Sequence, residues 1–230
     1  MRTRVRRALP AILLVALLVA AGCGSGSKTT TASSRSTTST SSTLPRPAAQ
    51  PDTAVWPFAD STTRYADPER AAEGFAVDYL GFVDPVIGAF TPGDSRSGEV
   101  TVQARSTGPV TTVVVRKLTA DGTWWVLAAA TPNLQLRSPT AGTSITSPVT
   151  LTGQGTAFEG TVNVEVRQDG TLTPVATDFV TGGGNGEMGP FSKAITFSPP
   201  TASGGAIVLK TLGGENGVVW EASVVRVQFG

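Results

Sequence analysis

The chain has no histidine and only one cysteine in 230 residues, and these two scarcities remove several kinds of chemistry. Without histidine there is neither a Ser-His-Asp triad nor a zinc site of the usual histidine-ligated kind. A single cysteine cannot form a disulfide within the chain. Beyond the first seven residues no Lys/Arg-rich run is present, which argues against a nucleic-acid partner. We therefore expect no catalytic residues, no metal and no cofactor.

The single cysteine, Cys23, follows a short export signal. Four arginines precede an apolar run at residues 8–21, which is too short to span a bilayer stably. Small Ala21 and Gly22 stand directly before the cysteine, and this pattern resembles the lipobox of bacterial lipoproteins, in which the thiol is acylated. Plain secretion and an uncleaved anchor are the alternatives. We expect residues 1–23 to be a lipoprotein signal peptide, and the protein to be extracytoplasmic and held to the cell membrane by lipid, such as palmitate, on Cys23.

The next segment, residues 24–55, is rich in Ser and Thr and then in Pro, so it cannot build a hydrophobic core. We expect a disordered linker that holds the folded part away from the membrane. Without the four signal arginines, 14 basic residues stand against 17 acidic ones, a formal net charge of −3. This mildly acidic balance also argues against nucleic acid.

Residues 56–132 are predicted to form a small α+β unit. A helix is expected to begin at Asp67, an N-cap residue followed by proline, and its apolar stripe reaches Val83. An Asp-Gly turn at Asp121 joins two of the strands that follow. The predicted strands are residues 99–105, 110–118 and 123–129.

Trp124 and Trp125 are adjacent in the last of these strands, so they point to opposite faces and only one is expected in the core. An exposed tryptophan could stack on a sugar or a peptide, or instead cover a sheet edge or pack against the second folded unit. Exposure of one beside carboxylates would favour a carbohydrate site. Burial of both would favour a noncatalytic binding or scaffold protein.

Residues 133–230 alternate short apolar runs with turns, and about seven strands of this kind are typical of an immunoglobulin-like β-sandwich. Val162, Val164 and Val166 share one face of a strand. The opposite face carries Glu165 and Arg167, and we expect that face to be in water.

Several stretches of this segment carry a resemblance to a known family: Ser147-Pro148-Val149, Phe158-Glu159-Gly160-Thr161-Val162-Asn163-Val164 and Gly186-Glu187-Met188-Gly189-Pro190-Phe191. On these residues, the segment resembles the immunoglobulin-like domain of bacterial spore germination. The resemblance implies a β-sandwich in an envelope protein, acting as an accessory interaction or structural module without a reaction of its own.

Glu159 and Glu187 are the candidate site residues of the sandwich. Each could hydrogen-bond loop amides across the end of the sandwich or contact a ligand. Phe158 is expected to fill the sandwich core together with two other phenylalanines, Phe191 and Phe197. For glycoside hydrolysis, two opposed carboxylates would be needed, and the pairs that remain open are Glu159 with Glu187 and Asp84 with Asp94.

The sequence thus predicts a mainly β protein, in which a disordered linker and a small α+β unit precede an immunoglobulin-like β-sandwich. We expect a noncatalytic binding or scaffold module of the cell envelope, tethered to the membrane and contacting an envelope protein or the cell wall in germination-type processes. The alternative is a cell-wall carbohydrate-binding or wall-modifying protein that uses a pocket in residues 56–132.

Overall fold

The computed structural model describes residues 51–230. The predicted signal peptide, Cys23 and nearly all of the predicted linker lie outside these residues. Within them, no helix is long and apolar enough to cross a membrane. The helical segments are a 3₁₀ turn at Pro51–Thr53, helix α1 at Pro68–Gly74 and a π-helical turn at Phe75–Leu80. The strands are β1 Val86–Ile87, β2 Thr91–Pro92, β3 Ser97–Gln103, β4 Thr111–Lys117, β5 Trp124–Ala130, β6 Leu134–Ser138, β7 Ser144–Ile145, β8 Val149–Ala157, β9 Thr161–Gln168, β10 Pro174–Thr181, β11 Gly183–Gly184, β12 Gly189–Ile195, β13 Gly204–Leu212 and β14 Val219–Phe229.

Helix α1 begins where the sequence predicts, because the Asp67 carboxylate accepts a hydrogen bond from the backbone N–H of Arg70 at 3.1 Å. The π-helical turn continues it and buries Phe75 and Tyr79 against the sheet. The helical segment ends at Gly81, whose φ of 87° is left-handed. Val83 was expected to continue the buried stripe, and this is wrong: it lies beyond the helix end and is exposed.

Ten strands form one large sheet in the order β1-β3-β4-β5-β14-β13-β9-β10, with β2 beside β3 and β7 beside β14. Strands β6, β8, β11 and β12 form a second, four-stranded sheet. In the large sheet, β5 pairs with β14 through Ala129 and Val224. Strands from before and after residue 132 therefore belong to the same sheet.

Strand β13 shows how this sheet serves two cores. Its Ala206 and Val208 pack against the helical segment, whereas Ile207 and Leu209 pack on the opposite side, in the core between the two sheets. Neighbouring residues of a strand point to opposite faces, so burial on both sides requires an almost continuous apolar run. The second of these cores is the interior of the predicted β-sandwich, and the mainly β fold is confirmed.

The prediction for β9 is half right. Val162, Val164 and Val166 are fully buried in the sandwich core, as expected. The opposite face is not in water, because the helical segment covers it and leaves Glu165 and Arg167 buried. Charged groups on a covered face need partners, and the pattern of alternation could not show that a helix would pack there.

Trp124 and Trp125 point to opposite faces and both are buried, so of the alternatives left open for the second tryptophan the structure shows packing and not exposure. Trp124 lies in the helix-side core, with its ring edge-to-face against Phe90 at 5.0 Å. Trp125 lies in a small core on the other face of the sheet, and the guanidinium of Arg64 stands 4.9 Å from its ring centroid. Residues of the segment Ala54–Arg64 and of the β4–β5 hairpin therefore cover the face that the sequence left open.

Candidate functional site

The two glutamates named from the sequence lie in exposed turns at one end of the sandwich. Glu159 is in the turn between β8 and β9, and Glu187 is in the loop before β12. Within residues 51–230, neither carboxylate has a hydrogen-bond or ion-pair partner, so the loop bracing expected of them is absent from the described part of the chain. Phe158, next to Glu159, is 72% exposed. The expectation that it fills the core is therefore wrong, whereas Phe191 and Phe197 are buried as expected.

The other carboxylate pair named from the sequence, Asp84 and Asp94, does not share a cavity with Glu159 and Glu187. Asp94 lies in the turn between β2 and β3 and accepts a hydrogen bond from the backbone N–H of Arg96 at 2.7 Å. This hydrogen bond, with others from Ser97, lowers the pKa of Asp94 below its usual value. Asp84 sits just past the helical segment with a left-handed φ of 45°. Both are exposed turn residues.

A cavity of about 580 Å³ lies beside Phe158, and it is the strongest candidate site. Its walls are the turn after β8, the glycine-rich loop around Asn185 and the loop between β13 and β14. Of its described lining residues, three precede residue 133 in the chain: Val83, Ala104 and Arg105. A volume of this size is within the range of pockets that hold small ligands, about 300–1,000 Å³.

Two aromatic side chains border the cavity. The Phe158 ring lies close to Gly214 in the facing β13–β14 loop. A Cβ atom added to this glycine would lie 3.5 Å from the ring. Trp220, on β14, is half-buried and has the guanidinium of Arg105 at 6.0 Å from its ring centroid. Gly108 packs closely on the indole. The cavity therefore offers flat apolar surfaces at its mouth and along one wall.

Glu221 is the buried carboxylate of the cavity, with 3% of its surface exposed. It accepts hydrogen bonds from the Thr131 hydroxyl at 2.6 Å and from Asn133 Nδ2 at 3.1 Å, with the Thr211 hydroxyl at 3.5 Å. All three donors are neutral. Burial therefore raises the pKa of Glu221 above its usual value, although these hydrogen bonds partly offset the effect.

Thr156 adds a second polar group to the cavity wall. Its side chain is 6% exposed, and its hydroxyl is buried without a hydrogen-bond partner among residues 51–230. Its backbone N–H donates to the carbonyl of Asn133 at 3.0 Å, so these two wall residues are held together. A buried hydroxyl without a partner is costly, and a ligand or a water molecule would satisfy it.

The charges at the rim nearly compensate one another. Arg105 pairs with Glu215 across the mouth at 3.4 Å, and both side chains are exposed. In the part of the chain that the structure describes, no group of three His, Cys, Asp or Glu side chains could hold a metal ion. The arrangement can hold a ligand by contact and hydrogen bonding.

The residues that build this site were not singled out from the sequence. Trp220 and Glu221 lie on β14, a strand in which no site residue was predicted. A carboxylate near the start of a mostly apolar strand, following the turn-rich Gly-Gly-Glu-Asn-Gly segment at residues 213–217, is the signal that could have identified Glu221.

The fold and the cavity together define the C-terminal part as an immunoglobulin-like sandwich with an open pocket at one end. Residues 133–217 match the family model described as the immunoglobulin-like domain of bacterial spore germination. This match confirms the resemblance that this part of the sequence carries. The match covers less than half of the chain and ends before Trp220 and Glu221. No curated protein and no solved structure shows a significant match to the chain.

Proposed function

We propose that this chain is a noncatalytic binding protein of the cell envelope, with the cavity beside Phe158 as its binding site. The observation that carries the proposal is the composition of that cavity: aromatic rings at its border, and inside it a carboxylate held by neutral donors only. Pockets that combine apolar walls with a few placed polar groups are the usual form of a ligand site. The match to a spore-germination immunoglobulin-like domain supports a binding role in germination-type processes of the envelope.

The proposal includes a membrane tether at Cys23, supported by the arginines, the apolar run and the small residues that precede this cysteine. After it, a coil of about 28 residues would reach roughly 30 Å and hold the folded part off the membrane. The partner is then an envelope protein or the cell wall, outside the cytoplasm.

The alternative function needs a carbohydrate pocket within residues 56–132 and an exposed Trp124 or Trp125 beside carboxylates. Both tryptophans are buried, so the aromatic surface that this alternative requires is not available there. The noncatalytic binding class is for this reason the one proposed.

The test is a crosslinking pull-down from intact cells with the full lipidated chain, followed by mass spectrometry of proteins and wall fragments. Phe158→Ala removes the exposed ring at the cavity, and Phe179→Ala removes a ring on β10 that is 50% exposed and does not line the cavity. We expect the wild type and Phe179→Ala to recover the same defined envelope component and Phe158→Ala to lose most of it. Equal recovery by all three proteins, or none above background, would contradict the proposal.

A further inference from the structure

The exposed ring of Phe158 has no role in the described core. It sits in the turn that joins β8 to β9, two strands of different sheets, where the backbone N–H of Gly160 donates to the carbonyl of Ala157 at 3.2 Å. The left-handed φ of Gly160, 74°, closes this turn tightly, so the ring is presented from a short, hydrogen-bonded turn. An apolar ring kept in water at the mouth of a cavity points to a ligand with a flat apolar face.

The polar groups inside the cavity indicate what else such a ligand must carry. The side-chain amide of Asn133 donates its N–H to Glu221. The side-chain carbonyl oxygen of Asn133 is then turned away from the carboxylate and can accept a hydrogen bond. The Thr156 hydroxyl, which is buried and has no hydrogen-bond partner among residues 51–230, can both donate and accept. Hydroxyl and amide groups of a ligand would satisfy both residues.

The charges favour a neutral ligand over an ion. An anion would meet the buried carboxylate of Glu221, and Arg105, the basic residue in the described lining of the cavity, pairs with Glu215. An ammonium group would compete with the neutral donors that already occupy Glu221 from Thr131, Asn133 and Thr211. Glu221 therefore acts as a positioning residue that orients Asn133.

We propose that the cavity binds a neutral saccharide, with a sugar ring lying on Phe158 and its hydroxyl or acetamido groups hydrogen-bonded to Asn133 and Thr156. This rests on the proposed binding function and specifies its ligand. The carbon–hydrogen face of a sugar ring is apolar and its edge carries hydroxyls, which matches an aromatic border around a floor of neutral polar groups.

The test is isothermal titration calorimetry on the full chain purified in detergent micelles. The probes are short chito-, cello- and malto-oligosaccharides, with a neutral apolar peptide as the rival ligand. We expect at least one of the oligosaccharides to bind, and Phe158→Ala to weaken its affinity about tenfold or more. Phe179→Ala, the same change outside the cavity, should leave the affinity unchanged. Circular dichroism of both variants shows whether the fold is retained.

Three outcomes would overturn the inference: no oligosaccharide binds, an oligosaccharide binds equally well to Phe158→Ala, or the peptide binds in a Phe158-dependent manner and the sugars do not. The failures of the two proposals can be told apart. If the pull-down recovers a Phe158-dependent partner while no sugar binds, the saccharide is wrong and the binding function stands. If neither experiment depends on Phe158, both are wrong.

Discussion

Glu165→Gln should strongly destabilise the protein, because Glu165 neutralises two cations beneath the helical segment. Its carboxylate pairs with Arg167 at 2.5 Å and with Lys210 at 2.5 Å, and all three side chains are largely buried. Arg167 also donates to the backbone carbonyl of Tyr79 at 2.5 Å and lies 4.5 Å from the centroid of its ring. The cluster thus ties the end of the helical segment to β9 and β13.

The expected loss of unfolding free energy follows from this geometry. Removing one partner of a buried ion pair costs about 3–5 kcal/mol, because the other charge is left uncompensated. Glutamine keeps the volume and one acceptor, and Lys210 can turn toward water, so the lower end, about 3 kcal/mol, is expected. That is about a 150-fold change in the folding equilibrium. With a urea m-value of about 2 kcal/mol/M, the midpoint of unfolding falls by about 1.5 M.

Urea denaturation at neutral pH, followed by tryptophan fluorescence, measures this shift. The matched control is Glu73→Gln, which breaks the pair of Glu73 with Arg70 on the surface of α1, where Glu73 is 41% exposed and Arg70 72%. Surface pairs of this kind contribute about 0–1 kcal/mol, so the control midpoint should move little. If Glu165→Gln moves the midpoint no further than Glu73→Gln does, the reasoning about the buried cluster is refuted.

Two further predictions concern the anchor and the cavity. If Cys23 carries the proposed lipid, Cys23→Ser should move the protein from the membrane fraction to the soluble fraction without changing its melting temperature, because position 23 lies outside the described fold of residues 51–230; retention in membranes would argue against lipidation. Burial raises the pKa of Glu221 above the usual 4.5, so the folded state binds this proton more tightly than the unfolded state. Stability should therefore fall as pH rises from about 4.5 through the raised pKa. Urea midpoints of Glu221→Gln should lack this fall, whereas Glu187→Gln, an exposed control, should keep it; identical pH profiles in both variants would refute the assignment.

Local signals in the sequence predicted local structure well. The Asp67-Pro68 pair predicted the start of α1, because a cap and a first-turn proline act within a few residues. The alternating valines of β9 predicted its core face, and Asp121-Gly122 predicted the β4–β5 turn, in which Asp121 accepts from the backbone N–H of Thr123. The immunoglobulin-like sandwich followed from such strands and from the family resemblance.

What depends on distant packing could not be predicted. The burial of Trp125 requires Ala54, far back in the chain, to cover its face of the sheet. Glu165 is covered because the helical segment lies on β9 and β13. The alternation of apolar and polar residues along β9 indicates only that one face of the strand is apolar. Both cases, Trp125 on β5 and Glu165 on β9, concern the second face of a strand. The sequence of a strand does not show which distant segment packs on that face.

The candidate cavity was not predicted from the sequence, although two of the turns that border it were. Glu159 and Glu187 were named in the right turns, and each has a neighbour, Phe158 and Gly186, that lines the cavity while the carboxylates do not. Conversely, Glu221 acquires its role from donors about ten and ninety residues away along the chain, Thr211 and Thr131. No spacing rule in one strand could bring them together.

The most direct test of the central claim is position-specific crosslinking in intact cells, with a photoreactive phenylalanine analogue in place of Phe158 or, in a matched control, of Phe179. Both positions are exposed, and only the first lies at the cavity. We expect a defined crosslinked species from position 158 that is absent or much weaker from position 179. Equal labelling from both positions, or labelling from position 179 alone, would contradict the cavity as the binding site of this protein.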